Sequence, residues 1–198
     1  MYLTVLKMDR NSLLGVTKPL NINSNYAIHK WLTYQQNQSR KDDHILYRII
    51  ERDDNIFLYI QTDSIFNLEG VEEKGLTVVR VLDLEDMLKH IGDTVFFDLQ
   101  TFPYDMKLGS HRRYFITDYE GRITWLKEQF ARYNVVLLDQ TEYKLSTLII
   151  DKDKNTRVPT SCFKGKIKIE DPEKFKELIT HGFGRIKNFG LGLVLFRN

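Results

Sequence analysis

A glycine-rich segment near the C-terminus constrains the fold more than any other part of the sequence. Residues 181–192 read HGFGRIKNFGLG, with two G-x-G pairs on either side of Arg185 and Lys187. A helical pattern precedes the segment, and an apolar strand at 191–196 follows it. Glycine permits positive φ and the close approach of another backbone, and successive N–H groups in such a loop can form an anion site. We therefore expect a tight loop between a helix and a strand that can hold a phosphodiester.

The glycine pattern does not match two well-known phosphate loops. No Gly-Lys-Ser/Thr follows it, as a P-loop would require. A dinucleotide fingerprint runs strand, loop, helix, whereas the order here is helix, loop, strand. On composition alone, a glycine-rich turn with a purely structural role remains an equal alternative.

Composition indicates a globular protein without a general excess of positive charge. Of the 198 residues, 42% are hydrophobic and 28% are charged, and the net charge is +2. Any nucleic-acid surface must therefore come from local clustering of Lys and Arg. A single cysteine, Cys162, leaves no internal disulfide or cysteine metal cluster. The sequence contains no signal-peptide pattern and no apolar run of membrane length, so we expect a soluble, cytoplasmic protein with no membrane partner.

The first part of the chain predicts a β-α-β-β-(α)-β order, which is the ferredoxin-like arrangement. Alternating β-forming residues indicate the strands, and apolar residues at helical spacing indicate the helix. Asp53, Asp54 and Asn55 provide turn chemistry for a hairpin. The predicted elements are, in order, strand 2–8, helix 25–36, strands 46–52 and 56–61, an ambiguous stretch 64–75, and strand 76–82.

The same order of elements then begins again after a short linker helix. Asp171 followed by Pro172 marks the start of the last helix, as cap and first-turn residue, and Phe175, Leu178 and Ile179 form its buried stripe. The fold predicted is α+β, with tandem ferredoxin-like (RRM-like) βαββαβ domains and antiparallel sheets, divided into domain 1–83, linker 84–92 and domain 93–198. The second set of elements is strand 94–102, a basic loop 107–114, helix 121–133, strands 135–138, 143–150 and 158–169, the last helix, the glycine loop and the last strand.

The helix at 25–36 has an apolar and a polar face by helical spacing. We predict that the apolar face is buried and that His29 lies on the opposite face with a tyrosine three residues before it. Residues three apart are neighbours on a helix surface, so the phenol and the imidazole can address one substrate group. The apolar face comprises Ala27, Ile28, Trp31 and Leu32, and the polar face comprises Tyr26, His29, Lys30 and Thr33.

This order of elements, ending in the glycine loop, resembles the CRISPR-associated repeat-processing endoribonucleases of the RAMP superfamily, and most of all their CasE branch. The family's loop pattern, G-hydrophobic-G-x-x-K-x-hydrophobic-G-x-G, fits residues 182–192. The resemblance implies a metal-independent endoribonuclease without a cofactor. It would bind the repeat stem-loop of precursor crRNA, cleave it, and stay bound with the other subunits of Cascade. It also implies that a histidine on the first helix, here His29, acts with a nearby tyrosine, here Tyr26.

Such an enzyme cleaves RNA through the substrate's own 2′-hydroxyl and leaves a 2′,3′-cyclic phosphate and a 5′-hydroxyl. We assign proton transfer to His29, as base or as acid, since positioned acid–base groups supply about 10²- to 10⁴-fold in rate. Tyr26 would orient or polarise the 2′-hydroxyl, and Lys30 or Lys187 would offset the phosphate charge. Paired Asp residues occur only in predicted turns and no metal-ligand spacing is present, so no metal site is predicted.

The predicted RNA contacts are the glycine loop and two basic segments. Each basic segment has an equal alternative as an ordinary solvated surface. The residues are Gly182, Gly184, Arg185, Lys187, Asn188, Gly190 and Gly192 in the loop, and Lys107, Arg112, Arg113, Lys152, Lys154 and Arg157 in the basic segments.

Two other functions fit the sequence. An RRM-like module that binds RNA without cutting it has the same sheet architecture, and Lys164-Gly165 and residues 182–184 are superficially similar to its aromatic motif. A purely structural subunit of a CRISPR ribonucleoprotein is the other alternative.

Overall fold

The computed structural model describes residues 1–9, 25–36, 44–106, 112–151 and 156–198. It divides into two compact units. The first consists of Met1–His90, Ile149–Thr156 and Asn188–Gly190, and the second of Ile91–Leu148, Arg157–Lys187 and Leu191–Asn198. Neither unit is a continuous stretch of sequence, and the predicted domain limits at 83 and 93 stay a prediction.

The first unit contains a four-stranded antiparallel sheet in the order β2-β3-β1-β4. This is the ferredoxin-like order, so the predicted arrangement is confirmed. The ambiguous stretch 64–75 contains a short 3₁₀ helix, Glu72–Lys74, at the position where the ferredoxin-like order has its second α-helix. The elements are β1 (Tyr2–Asp9), α1 (Asn25–Gln35), β2 (Leu46–Arg52), β3 (Asn55–Thr62), β4 (Thr77–Asp83) and α2 (Leu84–Lys89).

The core of the first unit lies between α1 and one face of this sheet. Ile28 and Leu32 of α1 are fully buried against alternate residues of β1 and β3, and burial of each such side chain contributes about 1.5–3 kcal/mol. Trp31 is partly buried, and its ring meets Phe66 edge-on with the centroids 6.0 Å apart. The apolar face predicted for α1 therefore does face the core.

The second unit repeats the arrangement, with its sheet in the order β10-β5-β9-β8 and a separate two-stranded pair, β6 and β7. Asp171 caps α4 by accepting a hydrogen bond from the Lys174 N–H at 3.1 Å, and Pro172 is the first residue of that helix. The elements are β5 (Thr94–Thr101), β6 (Tyr104–Met106), β7 (Arg113–Phe115), α3 (Tyr119–Ala131), β8 (Val135–Asp151), β9 (Thr156–Ile169), α4 (Pro172–His181) and β10 (Val194–Arg197).

Three predictions about the second unit were wrong in detail. The strands at 135–138 and 143–150 are one continuous strand, β8, because the polar residues between them continue the ladder instead of breaking it. Part of the basic loop at 107–114 is β7, which pairs with β6. The last strand begins at Val194 and not at 191.

None of the helices in the described part of the chain has the length and apolar character of a membrane span.

A buried ion pair connects α3 with β8. Arg122 donates from Nε and Nη2 to the two carboxylate oxygens of Glu142, both at 2.6 Å, and the two side chains are 4% and 6% exposed. The Glu142 carboxylate raises the pKa of Arg122 above its usual range. Arg122 Nη1 also donates to the carbonyls of Ile116 and Thr117, at 3.2 and 2.6 Å. The pair therefore holds the chain that leaves β7 next to α3.

Replacing one partner of this pair should cost more stability than replacing both. Arg122→Leu leaves the Glu142 carboxylate buried without its partner, and we expect a loss of about 3–5 kcal/mol in the free energy of unfolding. Arg122→Leu combined with Glu142→Leu should recover a large part of that loss, as measured by chemical denaturation. A double variant no more stable than Arg122→Leu would show that the two groups are not coupled.

Candidate active site

The N-terminal turn of α1 is joined to the end of the glycine loop within the first unit. Asn25 Nδ2 donates to the Phe189 carbonyl at 2.7 Å, across 164 residues of sequence. The Tyr47 hydroxyl donates to the Asn25 carbonyl at 2.8 Å, and Tyr47 is fully buried. Burial raises the pKa of Tyr47 above its usual range, so this phenol remains a protonated donor. The start of α1 is therefore fixed by a buried hydrogen-bond network.

His29 lies one turn further along α1 and is almost completely buried. The residue is 8% exposed and its Nδ1 atom is buried. The Phe189 ring lies against it, with the ring centroids 6.0 Å apart and the planes inclined at 60°. Helical spacing assigns His29 to the polar face of α1 together with Tyr26, and the structure shows that this face is buried at His29. The reason is that Phe189, distant in sequence, covers a face of α1 that helical spacing alone marks as polar.

The other two predicted catalytic residues are on the surface. Tyr26 is 39% exposed, and Lys30 is exposed with its Nζ 4.7 Å from the Tyr26 ring centroid. This distance is typical of a cation–π contact. The structure therefore places Tyr26 and Lys30 in contact on the surface, whereas His29 is buried. The Thr33 hydroxyl, on the same predicted face, donates to the His29 carbonyl at 2.9 Å.

Gly190 is the loop residue that allows this network to form. Its φ is +85°, and a Cβ atom there would lie 3.0 Å from both Asn25 Nδ2 and Tyr47 Cε2. A side chain would thus crowd two members of the network, which would have to shift, and would also require a left-handed backbone conformation. Glycine at this position is needed by the packing of the protein itself. Asn188, two residues earlier, is exposed.

Backbone N–H groups at three loop positions in the second unit are used for internal hydrogen bonds. Gly182 ends α4 with φ +70° and donates to the Leu178 carbonyl at 2.8 Å. Phe183 donates to the Gly192 carbonyl at 2.8 Å, and Gly192 donates to the Gln100 carbonyl at 2.9 Å. These N–H groups are not available to a phosphate. The anion site that the glycine pattern suggested does not form at these three positions.

The two cations of the loop differ in environment. The Lys187 ammonium donates to the His181 carbonyl in the last turn of α4, and its pKa is lowered by burial and then by the charge of Arg185. A phosphate would have to displace that hydrogen bond. Arg185 is exposed. The preceding residue, Gly184, has φ +72°, and a Cβ there would lie 3.0 Å from Thr101 Oγ1.

The predicted basic segments are only partly described. Arg112, Arg113 and Arg157 are exposed, and the Arg113 guanidinium carbon lies 5.4 Å from the Tyr104 ring centroid. Three other predicted contacts lie outside the described residues. They are Lys107, Lys152 and Lys154. Within the described ranges, no three His, Cys, Asp or Glu side chains are grouped as metal ligands would be.

Three residues that shape this site were not predicted from the sequence. The local pattern marks Asn25 only as the first residue of a helix, Tyr47 as a strand residue, and Phe189 as a hydrophobic position of the loop. An Asn at the start of a helix was a usable signal, because Asn is favoured at helix N-termini. The long-range partner of Asn25 had no local signal.

Gly190→Ala should destabilise the fold more than the same change at an open left-handed glycine. Gly70 is the matched control, since its φ is +67° and a Cβ there meets only Glu73 Oε2, at 3.7 Å. We expect about 1–2 kcal/mol of unfolding free energy to be lost at Gly70 from backbone conformation alone. Gly190→Ala adds the collision with Asn25 and Tyr47. Equal losses in chemical denaturation would contradict the close packing around Gly190.

Comparison with known proteins supports the fold and identifies the family. No curated protein sequence matches the chain. Among solved structures, it is similar to Thermus thermophilus Cse3 bound to an RNA representing a pre-cleavage complex, with 16% identity, TM-score 0.81 and 100% of both chains covered. It is also similar to Cas6e from Escherichia coli str. K-12, with 18% identity, TM-score 0.70 and 99% of this chain and 98% of that chain covered. A chain of a CRISPR RNA-guided surveillance complex matches with 19% identity, TM-score 0.68 and 99% of both chains covered. The family model described as CRISPR associated protein matches residues 1–197, and the chain therefore belongs to this family.

Proposed function

We propose that this chain is a CRISPR-associated endoribonuclease that binds the repeat stem-loop of precursor crRNA, cleaves it without a metal ion, and stays with the product as a Cascade subunit. The observation that carries the proposal is that His29 of α1 packs against the Phe189 ring, with Tyr26 and Lys30 nearby on the surface of the same helix. The chain also belongs to the CRISPR-associated family. Two similar structures support it: one is an RNA-bound Cse3 and the other belongs to an RNA-guided surveillance complex.

The proposed reaction is an internal transfer at phosphorus. The 2′-oxygen of the RNA forms a bond to phosphorus while the bond from phosphorus to the 5′-oxygen breaks, leaving a 2′,3′-cyclic phosphate. A base takes the proton of the 2′-hydroxyl, and an acid gives a proton to the departing 5′-oxygen. Because Nδ1 of His29 is buried, the nitrogen that would exchange a proton with the RNA is Nε2.

Tyr26 and Lys30 would act from the exposed surface. The Tyr26 hydroxyl would orient the 2′-hydroxyl, and the Lys30 ammonium would stabilise negative charge on the phosphoryl oxygens. Lys30 now rests over the Tyr26 ring, a contact of about 0.5–1 kcal/mol at exposed sites. A phosphate can draw the ammonium away from the ring at that small cost.

We assign the grip on the RNA stem to exposed cations, because stem recognition in A-form RNA is made mostly through phosphate and sugar. Arg185 and Asn188 are the exposed predicted side chains of the glycine loop, and Lys187 can join them if it leaves the His181 carbonyl. The proposed contacts from the basic segments are Lys107, Arg112, Arg113, Lys152, Lys154 and Arg157. The four loop glycines, Gly182, Gly184, Gly190 and Gly192, would support these contacts through the fold.

A second candidate function is RNA binding without cleavage. The near-complete burial of His29 favours it, because a residue that is 8% exposed presents little surface to an RNA phosphate. In this case the chain would hold the repeat RNA within a CRISPR ribonucleoprotein that another protein processes.

Cleavage by the His29→Ala variant separates the two candidates. If His29 transfers a proton, the substitution should lower the single-turnover rate constant by at least about 10²-fold and leave the affinity for a repeat hairpin RNA within a few-fold. The control is His90→Ala, since His90 lies at the end of α2 and its side chain is 79% exposed. Cleavage is measured in a chelating buffer by gel, with the product ends identified by mass.

A second control addresses the nucleophile. A hairpin RNA with a 2′-deoxy nucleotide at the cleavage site should bind and resist cleavage. Full activity of His29→Ala would remove His29 from the mechanism, and hairpin binding without cleavage by the unmodified protein would favour the second candidate.

A further inference from the structure

The sheet of the second unit carries an exposed aromatic residue between two cations. Phe96 on β5 is directly opposite Arg197 of β10 on one side and Lys166 of β9 on the other. The Lys166 ammonium lies 4.9 Å and the Arg197 guanidinium carbon 5.3 Å from the Phe96 ring centroid. The neighbouring β5 residues Val95 and Phe97 point to the opposite face and are buried. This places Phe96 on the face of the sheet away from the core.

A second aromatic residue lies on the same face. Tyr143 of β8 is 42% exposed, and its hydroxyl donates to Asp98 Oδ1 at 2.9 Å. Asp98 lies two residues beyond Phe96 on β5 and pairs with Lys164 in the strand register. The Lys164 ammonium is 5.5 Å from the Tyr143 ring centroid. Each of the two aromatic rings thus has a cation next to it. We call this surface the basic-aromatic face, and it comprises Phe96, Asp98, Tyr143, Lys164, Lys166, Lys168 and Arg197.

The basic-aromatic face is positive although the whole chain is nearly balanced. Lys164, Lys166 and Lys168 alternate along β9, so all three project from one side of the strand. Lys168 forms an exposed ion pair with Glu170 at 3.4 Å, which contributes little. The four cations and the two carboxylates of Asp98 and Glu170 give this small surface a net charge of +2, which equals the net charge of the whole chain.

Covering an exposed ring is the simplest role for the flanking cations, because long Lys and Arg side chains often lie over apolar surface. Two observations indicate that the cations do more than cover the ring. Phe96 stays 42% exposed with both cations in place, so part of the residue remains accessible to a ligand. Phe96 also lies on β5, and Lys164 and Lys166 lie on β9, the two central strands of the sheet, where RRM domains carry the aromatic residues that stack RNA bases.

We propose that the basic-aromatic face binds single-stranded RNA, with bases stacked on Phe96 and Tyr143 and phosphates held by Lys164, Lys166 and Arg197. Stacking platforms flanked by cations bind unpaired nucleotides without requiring a particular sequence. The inference rests on the proposed function in taking RNA as the ligand. It adds a site for the unpaired nucleotides outside the stem-loop, separate from the α1 residues assigned to cleavage.

The test uses the full chain and a fluorescein-labelled oligouridylate of eight nucleotides, which forms no stem. Fluorescence anisotropy should show that Phe96→Leu weakens binding about fivefold to a hundredfold, because one base can no longer stack. Phe96→Tyr keeps the aromatic ring and should bind like the unmodified protein. Tyr119→Leu is the matched control, since Tyr119 is 45% exposed on α3, away from the basic-aromatic face.

The cations are tested by the salt dependence of the same binding. Lys166→Ala with Arg197→Ala should reduce the slope of log K against log salt by about 0.7 for each phosphate that the protein no longer neutralises. A control pair, Lys127→Ala with Arg132→Ala, removes two exposed charges from the α3 region and should leave the slope unchanged. Oligouridylate binding that is unaffected by Phe96→Leu, or a slope reduced equally in both double variants, would overturn the proposal.

The outcome is independent of whether the chain cuts RNA. Phe96→Leu should cleave a hairpin RNA without single-stranded extensions at the unmodified rate. His29→Ala should retain oligouridylate binding. Failure of the cleavage proposal would appear as an inactive unmodified protein, which leaves the anisotropy result intact.

Discussion

The hydrogen bond from Asn25 to the Phe189 carbonyl determines what kind of site the first helix can offer. It brings residues 188–190 into the first unit and places the Phe189 ring against His29. Gly190 is required for the same contact, because any side chain there would meet Asn25 and Tyr47. One buried amide thus connects the position of the loop, the packing of α1 and the burial of the candidate catalytic histidine.

This constraint changes the meaning of the glycine pattern. The loop glycines adopt positive φ. A Cβ would collide with the Phe183 carbonyl at Gly192 and would crowd Asn25 and Tyr47 at Gly190. The pattern therefore reflects the packing of the loop against other residues of the protein, and the proposed RNA contacts are assigned to exposed side chains such as Arg185.

The order of elements could be predicted from the sequence because periodicity is a local signal. The order of strands and main helices in the two units, the Asp171 cap and the apolar face of α1 all follow from neighbouring residues. The continuity of β8 could not be predicted, since Glu142 is made compatible with a buried position by Arg122, which lies on a different element. The burial of His29 was missed for the same reason, because a distant ring provides it. Local patterns thus located the site residues, and tertiary contacts decided their environment.

The single-turnover cleavage rate of Asn25→Ala tests most directly whether the network that holds α1 also positions His29. With protein in excess over a repeat hairpin RNA, and below the melting temperature of the variant, we expect the rate constant to fall by about 10²-fold, because a small displacement of a catalytic group is enough for such a loss. Hairpin affinity should change only a few-fold. Gln35→Ala removes α1 hydrogen bonds to the Asn67 and Glu69 carbonyls, at the far end of the helix, and should cleave normally. An Asn25→Ala variant that is folded, binds the hairpin and cleaves at the unmodified rate would contradict the account.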